Sequence, residues 1–131
     1  MLYGKIYKKP NNQLEFDYNT PQVISGQTTN FGKSISISND GTYIAISDSL
    51  YTGTYSHQGI VKIYSKENTN YDVYEEIENL YPRINAEFGT NISFMDDNHT
   101  LVIHSRYKDS PSSFVDIYDR YTTSSPIRTI Y

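Results

Sequence analysis

The sequence predicts an all-β protein made of repeated, antiparallel, four-stranded sheets. First, the composition is typical of strands: the 131 residues include 14 Tyr and 5 Phe, and Ile, Ser and Thr are common while Ala and Leu are scarce. Second, FGKSISISNDGTYIAIS at 31–47 returns as FGTNISFMDDNHTLVIH at 88–104. Third, apolar and polar residues alternate at every second position within each copy, the pattern of a strand with one buried face.

The duplicated phrase belongs to a longer repeat. Phe31-Gly32 and Phe88-Gly89 are 57 positions apart, and GKIYKK at 4–9 precedes VKIYSK at 61–66 by the same offset. A third copy, VDIYDR at 115–120, follows 54 positions later. The chain therefore contains about two and a half units of roughly 55 residues each, the unit length expected of a repeat architecture.

Alternation and turn signals define the elements of one unit. SISIS alternates strictly, NDG is a hairpin turn signal, and YIAIS is the return strand. A polar loop leads to a third strand that begins after Gly59, and the turn KENTN leads to a fourth. Pro82 makes 77–86 a connector rather than a helix. Ten strands are expected in all, at 3–8, about 14–18, 34–38, 43–47, 60–64, 71–77, 92–95, 100–105, 113–118 and 126–131.

Four short antiparallel strands in each repeat describe a blade of the propeller type. We expect a single all-β domain over 1–131, with a half blade at 3–30, a full blade at 31–87 and a nearly full blade at 88–131. A closed propeller needs at least four blades, roughly 220 residues at this repeat length. The fold class expected is thus an incomplete propeller or an open stack of sheets completed by assembly, and a piece of a larger propeller is the third possibility.

One family has this pattern. Residues 31–64 resemble the short form of the FG-GAP β-propeller repeat, in which Phe-Gly, two alternating strands and an Asp-Gly turn precede a Gly-led third strand. Residues 88–118 match less closely, because Asn98 replaces the turn glycine and Ser113 the later one, and 3–9 match the third strand alone. The resemblance implies stacked blades, and sealing of such a ring by strands from both chain ends.

Several members of that family bind calcium in the loop between the first two strands. Here that loop is only SNDGTY or MDDNHT, which is too short to supply the six to eight oxygen ligands of calcium. We therefore expect no metal site, and interpret Asp40, Asp96 and Asp97 as turn formers.

Charge and composition exclude several classes of partner. The net charge is −4, and the basic clusters Lys5, Lys8, Lys9 and Arg106, Lys108 are too small for a phosphate-binding stripe, so no nucleic-acid partner is expected. The sequence has no apolar signal-peptide core and no membrane-length apolar run, which predicts no membrane partner. Without Cys it has no disulfide or thiolate zinc site. These features favour the cytoplasm or a virion.

No catalytic arrangement is present in the sequence. His57, His99 and His104 have no metal-ligand spacing, and there is no G-x-S-x-G nucleophile elbow. Glu75 and Glu76 are adjacent on a predicted strand, so their carboxylates point to opposite faces. We predict that the protein is not an enzyme and uses no cofactor.

The loop at 48–58, DSLYTGTYSHQ, is the candidate recognition site. Tyr51, Tyr55, His57 and Gln58 combine aromatic faces with hydrogen-bonding tips, the composition of protein- and sugar-recognising loops. The matching loop at 106–112 differs in composition, so repeated identical sites are not expected.

The predicted function is a non-enzymatic structural or protein-interaction module. Its partners would be other proteins, or copies of itself joined through half-blade ends and strand edges. Abundant Ile, Tyr, Asn and Lys correspond to AT-rich codons, which makes a minor structural component of a large DNA virus particle one concrete version. The alternative is a carbohydrate-binding propeller lectin whose glycan would contact Tyr51, Tyr55 and His57.

Overall fold

The computed structural model describes residues 3–9, 17–119 and 126–131. In these residues it contains ten strands and no helix, which confirms the all-β prediction. None of the described segments is a helix long and apolar enough to cross a membrane. The strands are β1 Tyr3–Lys8, β2 Asp17–Ser25, β3 Phe31–Ile37, β4 Tyr43–Asp48, β5 Ile60–Glu67, β6 Asn70–Ile77, β7 Phe88–Phe94, β8 Thr100–Arg106, β9 Ser113–Asp119 and β10 Arg128–Ile130.

The strands form three antiparallel sheets. The N-terminal sheet has two strands, β1 and β2; the central sheet has four in the order β3-β4-β5-β6; and the C-terminal sheet has four in the order β7-β8-β9-β10. None of the three closes into a barrel. β2 extends to Ser25, well past the predicted end at Tyr18, and residues 14–16 of that prediction lie outside the described residues.

The two Phe-Gly pairs occupy the same kind of position. Gly32 and Gly89 have φ angles of 80° and 85°, and the pairing register shifts directly after each pair. A β-bulge with a left-handed glycine produces such a shift and lets the strand bend. A Cβ at Gly89 would lie 2.8 Å from Cγ2 of Val61, so this residue also lets the two sheets approach. The Phe of each pair is buried.

The central sheet contributes to an apolar cluster on each of its faces. Against the C-terminal sheet it forms an apolar cluster made of Ala45, Val61, Ile63, Ile77, Phe88, Ile92, Leu101, Ile103 and Tyr118. Against the N-terminal sheet it forms a second cluster of Ile24, Phe31, Ile44, Ile46 and Tyr64, with Ile6 and Tyr71 packed beside it. Successive residues of a strand point to opposite faces, which is why Ile44 and Ala45 belong to different clusters.

Serine side chains join the first strands of the two large sheets. The hydroxyl of Ser34 accepts the backbone N–H of Ile92 at 3.0 Å, and that of Ser36 accepts the N–H of Phe94 at 2.9 Å. At the hairpin tips, the side-chain oxygen of Asn98 accepts the N–H of Asp40 at 2.9 Å. β3 therefore lies along β7, where its serines bond the backbone, while Ile92 and Phe94 pack in the apolar cluster between the two sheets.

One expectation about β3 is wrong. Its alternation predicts that the isoleucine face is buried, but Ile35 and Ile37 are 54% and 58% exposed. They share a face with Ile44 and Ile46, to which they are paired, and that face looks toward the N-terminal sheet. The N-terminal sheet has two strands; it covers β4, β5 and the Phe31 end of β3, but not Ile35 and Ile37. Period two shows that a strand has two unlike faces and does not show which of them a neighbour covers.

Candidate functional site

The predicted recognition residues lie in the connection between β4 and β5. The ring of Tyr55 is 40% exposed, Tyr51 and His57 are half-buried, and Gln58 is 1% exposed. The structure therefore presents Tyr55 at the surface and buries Gln58 beneath it. Of the four residues, Tyr51, Tyr55 and His57 have surface available for a partner.

The buried side chain of Gln58 holds the loop at 48–58 in place through two hydrogen bonds. Its side-chain oxygen accepts the backbone N–H of Tyr55 at 2.8 Å, and its amide donates to the carboxylate of Glu78 at 3.3 Å. Gly53 packs against this amide, because a Cβ there would lie 2.8 Å from its nitrogen. A buried amide engaged at both ends keeps the loop in one conformation, which lowers the entropy lost when Tyr55 contacts a partner.

The loop is also tied to the connector that leads into β7. The carbonyls of Ser56, His57 and Gln58 accept the N–H groups of Asn85, Glu87 and Phe88 at 2.9, 3.0 and 3.1 Å. Sequence spacing contains no signal for these pairings, because they join segments that the repeat offset does not relate.

Asn85 joins the recognition loop to the loop after β8. Its side-chain oxygen lies 3.2 Å from Nδ1 of His57, its amide donates to Asp109 at 2.7 Å, and its carbonyl accepts the N–H of Lys108 at 3.1 Å. The guanidinium of Arg83 stacks on the ring of Tyr107, 3.3 Å from its centre. The recognition loop and the loop after β8, which are far apart in the sequence, are therefore joined through Asn85 and lie at the same end of the molecule.

The turn carboxylates are engaged locally. Asp97 accepts the hydroxyl and N–H of Thr100 and the N–H of His99, and these bonds, the hydroxyl first, lower its pKa to about 2. Asp40 accepts the hydroxyl of Ser38 and the N–H of Thr42, and the Ser38 bond is the main reason that its pKa is lowered. These geometries are those of Asx turns. No group of three potential ligand side chains is placed to bind a metal ion anywhere in the described residues.

A buried carboxyl group, that of Asp116 on β9, lies beside β10. Asp116 is 2% exposed and accepts the hydroxyl of Thr129 at 2.6 Å, while burial raises its pKa. Burial, and then the nearby carboxylate of Asp116, raise the pKa of the Tyr118 phenol. Asn79 and Asp116 line a cavity of about 30 Å³. That space holds only a few water molecules and is far below the roughly 300–1,000 Å³ of organic-ligand sites.

A much larger groove separates the N-terminal and central sheets. Its volume is about 770 Å³, within the range of ligand and peptide sites. Its walls combine apolar and cationic side chains. The residues that line it include Ile6, Lys8, Lys9, Ile37, Ile44 and Lys66.

The middle of the outer face of the C-terminal sheet is apolar, and polar residues such as Asn91 and Asp119 lie at the margins of the same face. Val102 pairs with Ile117, and His104 pairs with Val115, on the face opposite the Leu101 and Ile103 core positions. All four are half-buried, and Ile130, which pairs with Val115, is 45% exposed. We call Val102, His104, Val115, Ile117 and Ile130 the open face.

No protein-family model matches this chain, and no curated protein matches it significantly. Its function is therefore inferred from the motifs of the sequence and from the geometry described above.

Replacing Tyr55 by Ala is expected to leave the fold intact. The ring is partly exposed, and the bond that holds residue 55 uses its backbone N–H, which alanine retains. We expect a change in the free energy of unfolding within about 0.5 kcal/mol, as for other surface substitutions. Urea denaturation of both proteins measures it. A loss of several kcal/mol would show that this ring is part of the core.

Proposed function

We propose that the protein is a non-enzymatic, propeller-type β-repeat module whose function is to bind other protein subunits. It acts by stacking sheets, in the way that its own central sheet is stacked between two neighbours. A structural component of a large assembly, such as the particle of a large DNA virus, is the concrete form that the composition favours.

The observation that carries this proposal is a match between the open face and a buried face. Val102 and Ile117 form a cross-strand pair in the C-terminal sheet, and Ala45 and Ile63 form the equivalent pair in the central sheet. Ala45 and Ile63 are fully buried under the C-terminal sheet. The pair His104 and Val115 is likewise equivalent to Ser47 and Val61. The repeat therefore places, at the outer surface, the face that it uses elsewhere as a sheet-to-sheet interface.

Physical chemistry supports the same conclusion. Repeat proteins bury each unit's apolar face against the next unit, and terminal units of soluble repeat proteins usually have a polar outer face. The open face contains three β-branched pairing residues and an exposed Ile130 instead. An apolar patch that is surrounded by polar residues commonly marks an interaction site. The FG-GAP resemblance points in the same direction, since blades of that family stack face to face.

The test is the mass of the full chain in solution. We expect light scattering and native mass spectrometry to find species heavier than the 15.1 kDa chain, or a heterocomplex when its partner is present. Ile117→Lys should return the homo-oligomer to the mass of one chain by placing a charge on the open face. Val73→Lys is the matched control, because Val73 is 56% exposed on β6, away from that face.

Either of two results would contradict the proposal. The first is a single-chain mass up to millimolar concentration with no complex formed in cell extract. The second is an oligomer that responds equally to both lysine variants. Circular dichroism of each variant, together with its unfolding curve, confirms that any change in mass comes from the interface.

A glycan-binding role of the recognition loop is the second candidate. It is favoured by the exposed ring of Tyr55 on a loop that Gln58 makes rigid, since sugar sites use preformed aromatic surfaces. A glycan array separates the two functions. Saturable binding that is lost in Tyr55→Ala would support a lectin, and an array without signal would support the interaction module alone.

A further inference from the structure

The N-terminal sheet is the outer half of a unit whose complete form is the central sheet. Lys5-Ile6-Tyr7 of β1 matches Lys62-Ile63-Tyr64 of β5. Ile6 packs onto the central sheet, and Ile63 packs in the same way onto the C-terminal sheet. β2 corresponds to β6 in the same way, because Ile24 pairs with β1 as Ile77 pairs with β5, and both are buried. In the described residues nothing in the N-terminal sheet corresponds to β3 and β4.

The groove lies where those two strands would be. β5 pairs with β4 along one edge and with β6 along the other, whereas β1 pairs with β2 alone within the described part of the chain. Ile35 and Ile37 are exposed beside the groove, while their equivalents Ile92 and Phe94 pack in the apolar cluster between the central and C-terminal sheets. By the repeat, the segment that would lie beside β1 and cover Ile35 and Ile37 corresponds to a hairpin of the β3–β4 type.

Side-chain hydrogen bonds hold both strands of the N-terminal sheet in place, so that this sheet does not move across to cover Ile35 and Ile37. The side-chain amide of Gln22 on β2 both accepts from the N–H of Tyr71 at 2.8 Å and donates to its carbonyl. Lys8 donates to the side-chain oxygen of Asn70 at 2.7 Å. These contacts hold β1 and β2 over β5 and β6, and leave the groove open above the Ile37 end of β3.

We propose that this groove binds a β-hairpin of the β3–β4 type, carried by another polypeptide, which pairs along the second edge of β1 and covers Ile35 and Ile37. This is addition of strands to an open sheet edge, a recognised mode of protein binding. The inference rests on the proposed function, because it uses the same stacked-unit geometry, but it concerns a different surface from the open face.

The chemistry of the bound hairpin follows from the junction already present in the chain. Hydroxyl side chains at alternate positions of its first strand accept the N–H groups of Ile35 and Ile37, as Ser34 and Ser36 accept those of Ile92 and Phe94. Its second strand runs antiparallel to β1, as β4 runs antiparallel to β5.

Charge selects an acidic hairpin turn. At the existing junction the N–H of Lys66 donates to the carbonyl of Thr42 at 2.8 Å, so the tip of the β3–β4 hairpin, with Asp40, lies close to this lysine. Lys9 is the equivalent of Lys66 in the N-terminal sheet, and the groove is lined by both and by Lys8. Three ammonium groups around one end of the groove favour a turn that contains carboxylates.

The chain itself supplies the probe. A fluorescently labelled peptide with the sequence of residues 31–48, FGKSISISNDGTYIAISD, is titrated into the full-length protein and followed by anisotropy. We expect saturable binding that is lost with a peptide of the same composition in scrambled order. Bound peptide should also slow hydrogen exchange of the backbone amides in β1, because they acquire strand partners.

Two variants locate the site. Ile35→Ser/Ile37→Ser should weaken binding by about tenfold or more, because two apolar side chains no longer become buried. Val73→Ser, which removes an equally exposed β-branched residue from the same sheet, should leave binding unchanged. Lys9→Gln should weaken binding of the natural peptide about two- to fivefold, as expected for a partly exposed charge pair. The same variant should have no effect on a peptide in which Asp40 is replaced by Asn.

The inference is wrong if the peptide shows no saturable binding up to millimolar concentration, or binds the Ile35→Ser/Ile37→Ser protein as tightly as the wild type. In that case an oligomer that Ile117→Lys dissociates still supports the proposed function. If neither peptide binding nor an assembly is found, both proposals fail together.

Discussion

Replacing Ile46 by Asp is expected to unfold the protein. Ile46 is 4% exposed in the cluster between the N-terminal and central sheets, where it packs with Phe31, Ile44 and Tyr64. The substitution removes an aliphatic side chain from a close-packed site and puts a carboxylate there. Lys62 lies opposite on β5, but its ammonium already contacts the carboxylate of Glu76 at 2.8 Å. We expect a loss of about 4 kcal/mol or more, a large share of the stability of an ordinary domain.

Ile35→Asp is the matched control for this prediction. Ile35 is the residue paired with Ile46 across β3 and β4, yet it is 54% exposed. The same chemical change should therefore cost less than about 1 kcal/mol there. Urea denaturation followed by circular dichroism compares the two variants with the wild type. Equal stability of the two variants would show that the cluster assignment of Ile46 is incorrect.

The cost of the Ile46→Asp substitution should also depend on pH. Burial raises the pKa of a carboxyl group above its unfolded value of about 3.9, so the folded variant binds its proton more tightly than the unfolded one does. The penalty relative to the wild type is then smallest below about pH 4, and it grows as the pH rises from there through the raised pKa. A penalty that did not change with pH would indicate that the carboxylate reaches solvent or an ion-pair partner.

Replacing Gly59 by Ala should be almost as damaging, for a backbone reason. Gly59 has a φ of 81° and forms a parallel bridge with Phe88, where the central and C-terminal sheets meet. A Cβ at this position would lie 2.3 Å from the carbonyl oxygen of Phe88 and 2.4 Å from its nitrogen. A backbone atom cannot rotate away as a side chain can, so Phe88, which is fully buried, must move. We expect a loss of about 2–5 kcal/mol from strain and overpacking together.

Alanine substitutions at Gly41 and Gly4 separate the cost of backbone strain from the cost of overpacking. Gly41 has a φ of 70° and open space around its Cβ position, so Gly41→Ala measures the left-handed backbone cost alone, about 1 kcal/mol. Gly4 lies in β1, and a Cβ there would meet no atom within 4 Å, so Gly4→Ala should be nearly neutral. Thermal and urea unfolding of the three variants should place Gly59→Ala far below the others. If Gly59→Ala costs no more than Gly41→Ala, the close approach of Phe88 does not exist in solution.

The candidate site was predictable from the sequence only in part. Loop length, aromatic content and position on a β scaffold all indicated 48–58, and Tyr55 is exposed there. The burial of Gln58 and the link through Asn85 to the loop after β8 were not predictable, because they depend on segments far apart in the chain. The groove between the first two sheets was missed as well. Its signal was present in the sequence, as the third-strand motif at 4–9 that matches the one at 61–66.

The sequence alone determined most of the strand segments, although not the extent of β2, and, through the repeat, the pattern in which they recur. Alternation, Asp-Gly turns and the 57-residue offset are local or periodic signals, and each depends on a residue and its near neighbours in the chain. Tertiary structure decided which face of each strand is covered. Ile35 and Ile92 occupy the same place in the repeat, yet one is 54% exposed and the other 8%. They differ because burial depends on whether another sheet lies against the strand, and only Ile92 has such a neighbour.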